Sequence, residues 1–333
     1  MGAGGARLAT GGMGAGLLAR LVTGLLLTGL LVGPLAGCSG TSSGASGSPA
    51  TVGTATSAAT GTAPSVGTSA GGSPGAGSTP TGPPAATGRP DHVVVVVMEN
   101  HAYGDVVGSG SAPWVNTLPA AVFTNWHAVT HPSQPNYLAL FSGSTQAVTD
   151  DSCPQHFDAP NLGQQLIGAG YTFAAYSEGL PQAGDTVCQA GGYARKHAPW
   201  TDFGNLPAAT GQPFTAFGPD YSRLPTVAFV IPDLCHDTHD CPVRVGDDWL
   251  AGHLAGYLAW ARTHNSLLVI TYDEDDNGAG NHILTVVAGA GVRPGRYGVA
   301  GDHYTLLRTL ESLYGLAPLG AAAARSPVQS AWS

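Results

Sequence analysis

Three apolar runs, each followed closely by acidic residues, constrain the fold of this chain more than any other feature. They are His92 to Met98, Thr226 to Ile231 and Ser266 to Tyr272, and all are rich in β-branched residues. Such runs, without polar alternation, are typical of strands buried on both faces of a parallel sheet. A fourth run, Leu284 to Ala288, predicts another strand. We therefore expect an α/β sandwich, with a central, mostly parallel sheet and helices on both faces.

The segments between these runs predict helices. The helical candidates are Asn161 to Ala169, Trp249 to Thr263 and Tyr304 to Tyr314. Asp247 and Asp248 stand just before the second candidate, where negative charge favours the start of a helix. The order of strands and helices along the chain is that of an α/β protein.

The N-terminal residues predict export. Arg7 and Arg20 precede a largely apolar run, Leu21 to Val32, which leads into Leu35-Ala36-Gly37-Cys38. Small residues before a cysteine fit a lipobox, in which residues 1–37 are removed as a lipoprotein signal peptide and Cys38 receives the lipid. An ordinary secretory signal is the alternative. We expect a protein anchored to the outer face of the cytoplasmic membrane, or an extracellular one if the anchor is not used.

Composition separates a tether from a folded domain. Residues 38–89 are almost entirely Ser, Gly, Thr, Ala and Pro, so they cannot bury enough surface to fold. Residues 90–333 have one composition throughout and suit a single catalytic domain. That domain holds all 21 acidic residues and the one lysine of the chain, Lys196. Because there is no basic stripe, we expect no nucleic-acid partner, and phosphate chemistry would need a metal to neutralise charge.

Beyond Cys38 the chain has Cys153, Cys188, Cys235 and Cys241. An even number in an oxidising compartment predicts disulfides, and four cysteines allow three pairings. We favour Cys153 with Cys188 and Cys235 with Cys241, the second of which closes a short loop around acids and histidines. A thiolate metal site is the alternative.

Ser133 is the candidate nucleophile. It lies between two prolines in His131-Pro-Ser-Gln-Pro-Asn136, before an apolar stretch that ends at Ser142-Gly143. The prolines indicate a tight turn, and a hydroxyl at the start of the following helix meets free N–H groups that bind an oxyanion. The alternative is that Ser133 only caps the helix. Because no G-x-S-x-G motif accompanies it, a metal is the remaining means of activation.

The candidate metal ligands follow the apolar runs. Because the carboxyl ends of parallel strands meet at one edge of a sheet, side chains there lie close together. Oxygen ligands mixed with histidine suit Mg, Ca, Mn or Zn, and the sequence does not choose among them. The role of His282 is left open. The candidate ligands are Glu99 and Asn100, Asp237 and His239, Asp273 and Glu274, and the later His303.

Several stretches of the chain resemble one known family. They are Met98-Glu-Asn-His101, Thr130-His-Pro-Ser-Gln-Pro-Asn-Tyr137, Ser142-Gly143, Tyr272-Asp-Glu274 and the late His303. They resemble the bacterial phosphoesterase family of acid phosphatases and phospholipases C, within the alkaline-phosphatase superfamily. The resemblance covers nearly the whole folded domain, and it is strongest to the secreted acid phosphatases described as phosphatidylinositol 3-phosphatases.

The resemblance implies an alkaline-phosphatase-like fold and a covalent phosphoenzyme on Ser133. A hydrogen-bonded loop histidine is the alternative to a catalytic role for His197. By the same resemblance, one metal is held by Glu99, Asn100, Ser133, Asp273 and Glu274, and a second metal cluster is formed by Asp237, His239 and His303. Asn100, His131 and Asn136 bind the substrate, with Asn136 on a phosphoryl oxygen. His197 is implied to be a general acid or a phosphate contact.

One loop departs from the larger phospholipases C that the chain resembles. Those proteins have Gly-Gly-Phe-Tyr-Asp-His after the acid pair. Here the loop is Asp275-Asp-Asn-Gly-Ala-Gly-Asn-His282. The difference weakens the interpretation as a phospholipase C.

We expect an exported, metal-dependent phosphomonoesterase, an acid phosphatase that acts through a phosphoserine. The resemblance suggests phosphatidylinositol 3-phosphate as its substrate. We expect a monomer whose partners are the phosphate monoester and, through the N-terminal lipid, the membrane. Two alternatives stay open. One is a phosphodiesterase or phospholipase C, which differs in the number of ester groups that fit around phosphorus, and the other is a catalytically silent, metal-binding surface lipoprotein.

Overall fold

The computed structural model describes residues 88–331, so the predicted signal peptide, Cys38 and nearly all of the predicted tether lie outside the described residues. The described residues belong to one compact unit. The strands are β1 (His92–Met98), β2 (Ala121–Trp126), β3 (Phe173–Ser177), β4 (Gln189–Ala190), β5 (Tyr193–Ala194), β6 (Gly211–Pro213), β7 (Val227–Ile231), β8 (Ser266–Tyr272), β9 (Thr285–Gly289) and β10 (Gly295–Gly301). The helices are α1 (Tyr103–Val106), α2 (Pro113–Thr117), α3 (Ser133–Ser142), α4 (Leu162–Gly168), α5 (Val243–Ala261) and α6 (His303–Leu313).

One mostly parallel sheet organises the described residues. Its strand order is β10-β2-β9-β8-β1-β7-β3-β6, and β4 and β5 form a separate hairpin. Only β9 runs antiparallel to its neighbours in this sheet, which are β2 and β8. β1 lies at the centre, parallel to both β7 and β8. The four predicted strands therefore form, and all four are adjacent, in the order β9-β8-β1-β7.

Helices cover both faces of the sheet. Phe173 and Tyr176 of β3 point to opposite faces because successive side chains of a strand alternate. Phe173 contacts Phe141 of α3, with ring centroids 5.5 Å apart. Tyr176 contacts Phe217, which lies against Tyr257 of α5. α3 and α5 therefore pack on opposite faces, as the predicted sandwich requires.

Helix α5 begins at Val243, before the predicted start at Trp249. The prediction that Asp247 precedes this helix is wrong. Pro242, with a φ of −60°, already has the backbone angle of a helix start, so the helix follows it directly. The Asp247 carboxylate, which is buried, instead accepts hydrogen bonds of 2.9 Å from the N–H groups of residues 114 and 115. It thereby stabilises the positive N-terminus of α2.

Both favoured disulfides are present. Cys153 is bonded to Cys188 and Cys235 to Cys241, so the alternative of a thiolate metal site is excluded. The first bond ties the loop before α4 to the start of β4. The second closes the loop that carries Asp237. Between residues 88 and 331, no helix combines the length and the hydropathy needed to cross a bilayer.

Candidate active site

Acidic side chains from three neighbouring strands meet at one edge of the sheet. Glu99 follows β1, Asp273 and Glu274 follow β8, and Asp237 lies in the loop after β7. Backbone hydrogen bonds hold these segments together beyond the strands. The Glu99 N–H donates to the Asp237 carbonyl (2.8 Å), and the Asp273 N–H donates to the Met98 carbonyl (2.9 Å). All four acidic residues are buried.

Ser133, the first residue of α3, brings a hydroxyl to these acids. Its Oγ lies 3.0 Å from Glu99 Oε2 and 3.2 Å from Glu274 Oε1. Because a hydroxyl carries one proton, it donates to one carboxylate at a time. The alternative role as an N-cap is wrong, since Pro132 occupies the capping position. Asp151 holds the same helix end, because its Oδ1 accepts from the N–H of residue 134 (2.9 Å).

Glu99 is the centre of the cluster. Its Oε1 accepts a hydrogen bond from the Tyr137 hydroxyl (2.7 Å) and lies 3.0 Å from His197 Nε2. The other ring nitrogen of His197, Nδ1, lies 3.4 Å from Asp237 Oδ2, so the ring stands between the two carboxylates. Tyr137 and His197 stack with ring centroids 5.0 Å apart. Tyr137 follows Ser133 by four residues on α3, so the two side chains share one helix face.

A buried ion pair positions His197. The ring ends the short 3-10 turn Arg195–His197, and the Arg195 guanidinium lies 2.9 Å from Asp202 Oδ1. Gln134 of α3 donates to the other oxygen of Asp202 (3.4 Å). The turn that carries His197 is therefore fixed to the helix that carries Ser133.

The charge state of His197 bears on its role. Burial lowers the pKa of the ring well below its ordinary value, and the positive charge of Lys196 lowers it further. The residue is only 1% exposed. An enclosed ring with a lowered pKa, between Glu99 and Asp237, favours a positioning role for His197 over the role of general acid that the resemblance implies.

His131 and Asn136 lie in and after the turn before α3. The Nδ1 of His131 lies 2.8 Å from Glu274 Oε2, and its Nε2 lies 3.3 Å from Asp275 Oδ1, while its side chain is 30% exposed. Asn136 Oδ1 accepts from the N–H of Thr130 (3.1 Å), and its Nδ2 donates to the carbonyl of Thr130 (2.8 Å) and to Glu274 Oε2 (3.4 Å). Asn136 thus holds the turn against Glu274.

Three predicted ligands lie at the margin of the cluster. The Asn100 N–H donates to Asp273 Oδ1 (3.2 Å). The ring of His239 lies 6.3 Å from that of His197, and its side chain is partly exposed. His303 Nε2 donates to the carbonyl of Asp273 (2.6 Å). The structure therefore brings His303 to the main chain of Asp273 and not to its carboxylate.

The acids of the cluster hold their protons more tightly than usual. Burial raises the pKa of Glu99 well above its ordinary value, and the charges of Asp273 and Asp237 raise it further. Burial also raises the pKa of Asp273 to about 7, that of Asp237 to about 8 and that of Glu274 to about 7. The common cause is negative charge enclosed in protein with little positive charge beside it.

The same residues fit a divalent cation. Asp237 Oδ2 and Asp273 Oδ2 are buried without a hydrogen-bond partner. Such oxygens are costly to bury unless a positive charge or a donor reaches them. Carboxylate oxygens are ligands for Mg, Ca, Mn and Zn. Glu99, Asp237 and Asp273 are therefore candidate ligands by their chemistry, although within residues 88–331 the group whose ligand atoms all lie within 4.8 Å of one another is Glu178, Asp233 and His236.

The sequence did not point to two features of this edge. Glu178, Asp233 and His236, which follow β3 and β7, have ligand atoms within 4.8 Å of one another. Tyr137 was not among the candidates either. Tyr137 could have been found from the sequence by its spacing of four residues from Ser133, which places both side chains on one helix face.

Comparison with known families decides the assignment. The family model described as Phosphoesterase family matches residues 114–317. The chain belongs to the phosphoesterase family. The matched part of this phosphoesterase includes Ser133, Asp237, Asp273 and Glu274, whereas Glu99 lies before it.

Individual relatives are consistent with the family. This phosphoesterase is 50% identical over 246 residues to a Mycobacterium tuberculosis protein named phosphatidylinositol-3-phosphatase, covering 72% of this chain and 82% of that one. It is 27% identical over 246 residues to an Aspergillus fumigatus protein named acid phosphatase, covering 68% of this chain and 55% of the relative. Its fold is similar to that of an alkaline phosphatase superfamily protein from Vibrio parahaemolyticus, with a TM-score of 0.51, 14% identity and coverage of 73% and 71%. The predicted family and fold are confirmed.

Proposed function

We propose that this chain is a phosphomonoesterase in which Ser133 is the nucleophile. The observation that carries the proposal is the position of Ser133 Oγ at the start of α3, 3.0 Å from Glu99 and 3.2 Å from Glu274. A hydroxyl with an acceptor in hydrogen-bond range and a helix N-terminus beside it combines a nucleophile with an anion site. The relatives named phosphatidylinositol-3-phosphatase and acid phosphatase support a phosphomonoester, with phosphatidylinositol 3-phosphate first, as the substrate.

In the first step Ser133 Oγ forms a bond to phosphorus, and the bond from phosphorus to the oxygen of the leaving alcohol breaks. The hydroxyl proton passes to Glu274. Glu274 offers a route outward because its Oε2 lies 2.8 Å from Nδ1 of His131, which is 30% exposed. The leaving alcohol takes a proton from His131, which regains one from Glu274 across that 2.8 Å contact. Glu99 is fully enclosed and already contacts Tyr137, so it orients Oγ.

In the second step water attacks phosphorus, the bond from phosphorus to Ser133 Oγ breaks, and inorganic phosphate is released as Oγ regains its proton. A divalent cation bound at this edge supplies positive charge that lowers the pKa of the hydroxyl and of water and offsets the phosphoryl charge. Glu99, Asp237 and Asp273 would hold it. The N-terminus of α3 adds the positive end of its dipole.

The test is hydrolysis of nitrophenyl phosphate and of bis(nitrophenyl) phosphate by the purified protein, each before and after chelation and metal add-back. We expect turnover of the monoester that chelation removes and that Mg, Ca, Mn or Zn restores. A preference for the diester would move the assignment to a phosphodiesterase. If neither ester is hydrolysed with any of the four metals, the alternative of a metal-binding lipoprotein without catalytic activity is favoured.

We also propose that the enzyme is exported and anchored by a lipid on Cys38. Two disulfides among the described residues support an oxidising compartment, and the apolar segment before Cys38 supports a lipoprotein signal. Labelling with a fatty acid is expected to mark the unsubstituted protein and not Cys38→Ser, because a serine hydroxyl gives no site for the thioether. A Cys38→Ser variant that still takes up the fatty acid would refute the anchor at Cys38.

A further inference from the structure

Thr238 has a backbone conformation that its own side chain disfavours. Its φ is 86°, in the left-handed region, where a β-branched residue is an outlier. Such a conformation costs free energy and persists only where the surrounding structure holds it. Thr238 is buried, with 1% of its surface exposed, and it directly follows Asp237 of the acidic cluster. The two phosphoryl-transfer steps assign it no role.

Two hydrogen bonds hold Asp237 and Thr238 against the main chain of Glu99. The Thr238 hydroxyl donates to the Glu99 carbonyl (2.8 Å), and the Glu99 N–H donates to the Asp237 carbonyl (2.8 Å). Both main-chain polar groups of Glu99 are therefore bonded to one dipeptide of the loop after β7. Because a buried polar group is costly to leave without a partner, these bonds fix that loop to the end of β1.

The turn at Thr238 also orients the Asp237 carboxylate. The main-chain N–H that follows Thr238 donates to Asp237 Oδ1 (2.8 Å), and Oδ2 lies 3.4 Å from His197 Nδ1. The other nitrogen of that ring lies 3.0 Å from Glu99 Oε1, and Glu99 Oε2 lies 3.0 Å from Ser133 Oγ. The separation of Glu99 and Asp237 therefore determines how the His197 ring fits between them and where Glu99 meets Ser133.

Helix α5 and a disulfide enclose the strained turn. A Cβ atom at Gly246 of α5 would collide with the Cγ2 methyl of Thr238 and would lie 2.9 Å from the carbonyl oxygen of His236. Glycine is therefore required at this position, although it lowers the stability of a helix. The bond between Cys235 and Cys241 closes the loop that carries Thr238. The turn is thus held from the side of the helix as well as from the side of β1.

We propose that Thr238 is a positioning residue for catalysis. Its hydroxyl sets the separation of the Glu99 and Asp237 carboxylates, and thereby the place where Glu99 orients Ser133 Oγ. The proposal rests on the phosphomonoesterase function above. The hydrogen bond to the Glu99 carbonyl offsets the strain in the backbone. Without the hydroxyl the strained backbone relaxes, and the loop that carries Asp237 moves away from the end of β1.

Removing the hydroxyl is the first test. Thr238→Val keeps the branched shape of the side chain but has no donor for the Glu99 carbonyl. We expect kcat for nitrophenyl phosphate to fall roughly tenfold or more, because a displacement of about 1 Å can cost up to about 10²-fold. KM should stay within about twofold, since the N-terminus of α3 still binds the phosphoryl group. Kinetics are measured well below the melting temperature of the variant, so that unfolding does not affect kcat.

Thr238→Ser separates the hydroxyl from the shape of the side chain. Serine keeps the donor, lacks the methyl group and is not β-branched, so it is less strained in the left-handed region. We expect kcat within about twofold of that of the unsubstituted protein. If Thr238 served only packing, valine would retain kcat and serine would lose it. That order of activities in the folded variants overturns the proposal.

Thr210→Val is the matched control. The Thr210 hydroxyl is buried and donates to the carbonyl of Pro207 at the same distance, 2.8 Å. Thr210 directly precedes β6, an outer strand of the sheet, which β7 and β3 separate from β1. We expect a fall in Tm similar to that of Thr238→Val, with kcat unchanged. An equal fall in kcat in both valine variants indicates a general loss of structure and overturns the positioning role.

The outcomes also separate the positioning role from the proposed function. A fall in kcat at constant KM in Thr238→Val, with kcat retained in Thr238→Ser, supports the positioning role. Unchanged kcat in a folded Thr238→Val variant overturns that role and leaves the phosphomonoesterase standing. If the unsubstituted protein does not hydrolyse the monoester, the phosphomonoesterase is overturned and the role of Thr238 falls with it.

Discussion

Ser133→Ala is expected to lower kcat for a phosphomonoester by roughly 10³-fold or more, because alanine offers no oxygen to bond with phosphorus. Binding should suffer far less than turnover, since the N-terminus of α3 and the acidic cluster remain in place. The variant loses one hydrogen bond to Glu99 or Glu274. A change of about 1 kcal/mol in the free energy of unfolding is therefore the expected structural cost.

Two measurements check the role of Ser133. Steady-state kinetics gives the loss of kcat, with Ser111→Ala, at an exposed serine, as the control. Mass spectrometry of acid-quenched reactions is expected to find a phosphoryl group on the peptide that contains Ser133, and none on that peptide in the alanine variant. Turnover retained in a folded Ser133→Ala protein would rule out the covalent route.

Asp273→Asn is expected to weaken binding of a divalent cation by roughly 10²-fold or more. Mutating a residue that only supports a metal ligand already lowers metal affinity by up to about 10²-fold, and Asp273 is a candidate ligand itself. Asparagine keeps an oxygen for the hydrogen bond from the Asn100 N–H (3.2 Å). It replaces the buried, unpartnered Oδ2 by an amide group that cannot act as a ligand. Turnover of a phosphomonoester should fall at least as far as cation binding.

Thermal stability gives a readout of this substitution that does not depend on turnover. In chelator, we expect the Asp273→Asn variant to melt at or above the temperature of the unsubstituted protein, because one charge leaves a crowded buried group of acids. Added cation should reverse this order. A free ion at about 100 times its Kd stabilises the unsubstituted protein by about 2.7 kcal/mol, a rise in Tm of roughly 5 to 10 °C.

A matched control is available on the same loop. Asp276 is exposed, so Asp276→Asn should retain both the rise in Tm with cation and the turnover of the unsubstituted protein. If none of Mg, Ca, Mn or Zn shifts the Tm of the unsubstituted protein, these carboxylates do not form a cation site.

The buried strands were the part of the fold most accessible from sequence. β1 and β8 have the predicted bounds, because a β-branched run without polar alternation fits only a strand covered on both faces. The reversed direction of β9 was not accessible in the same way. Its apolar side chains would pack equally well in either direction, and pairing with β2 and β8 fixes the direction only in the folded chain.

The start of α5 shows that local charge can predict the wrong first residue of a helix. Acids before an apolar helical segment imitate a helix start, which is why Asp247 suggested one. The groups that bind Asp247 are the N–H groups of residues 114 and 115, more than a hundred positions away in the sequence. Partners that distant leave no local signal, so the true start at Val243 follows from Pro242 alone.

Some residues of the site were accessible from the sequence and others were not. Glu99 and Asp273 stand directly after strands, and their positions at the sheet edge follow from the topology. The position of the His197 ring between Glu99 and Asp237 depends on a short turn that the Arg195 and Asp202 pair holds in place. Such contacts between loops arise from tertiary packing, so the sequence suggests the residue type but not its partners.

The reversed strand β9 has a consequence for the segment that follows the acids. Because β9 runs back beside β8, the chain between them is a hairpin loop, residues 273–284. The sheet fixes the first residue of that loop, since the Asp273 N–H is bonded to Met98. The segment 276–280 is exposed. Loops of this kind accept insertions without moving the strands that they join. Residues can therefore be added to this segment while Asp273 keeps its place at the edge of the sheet.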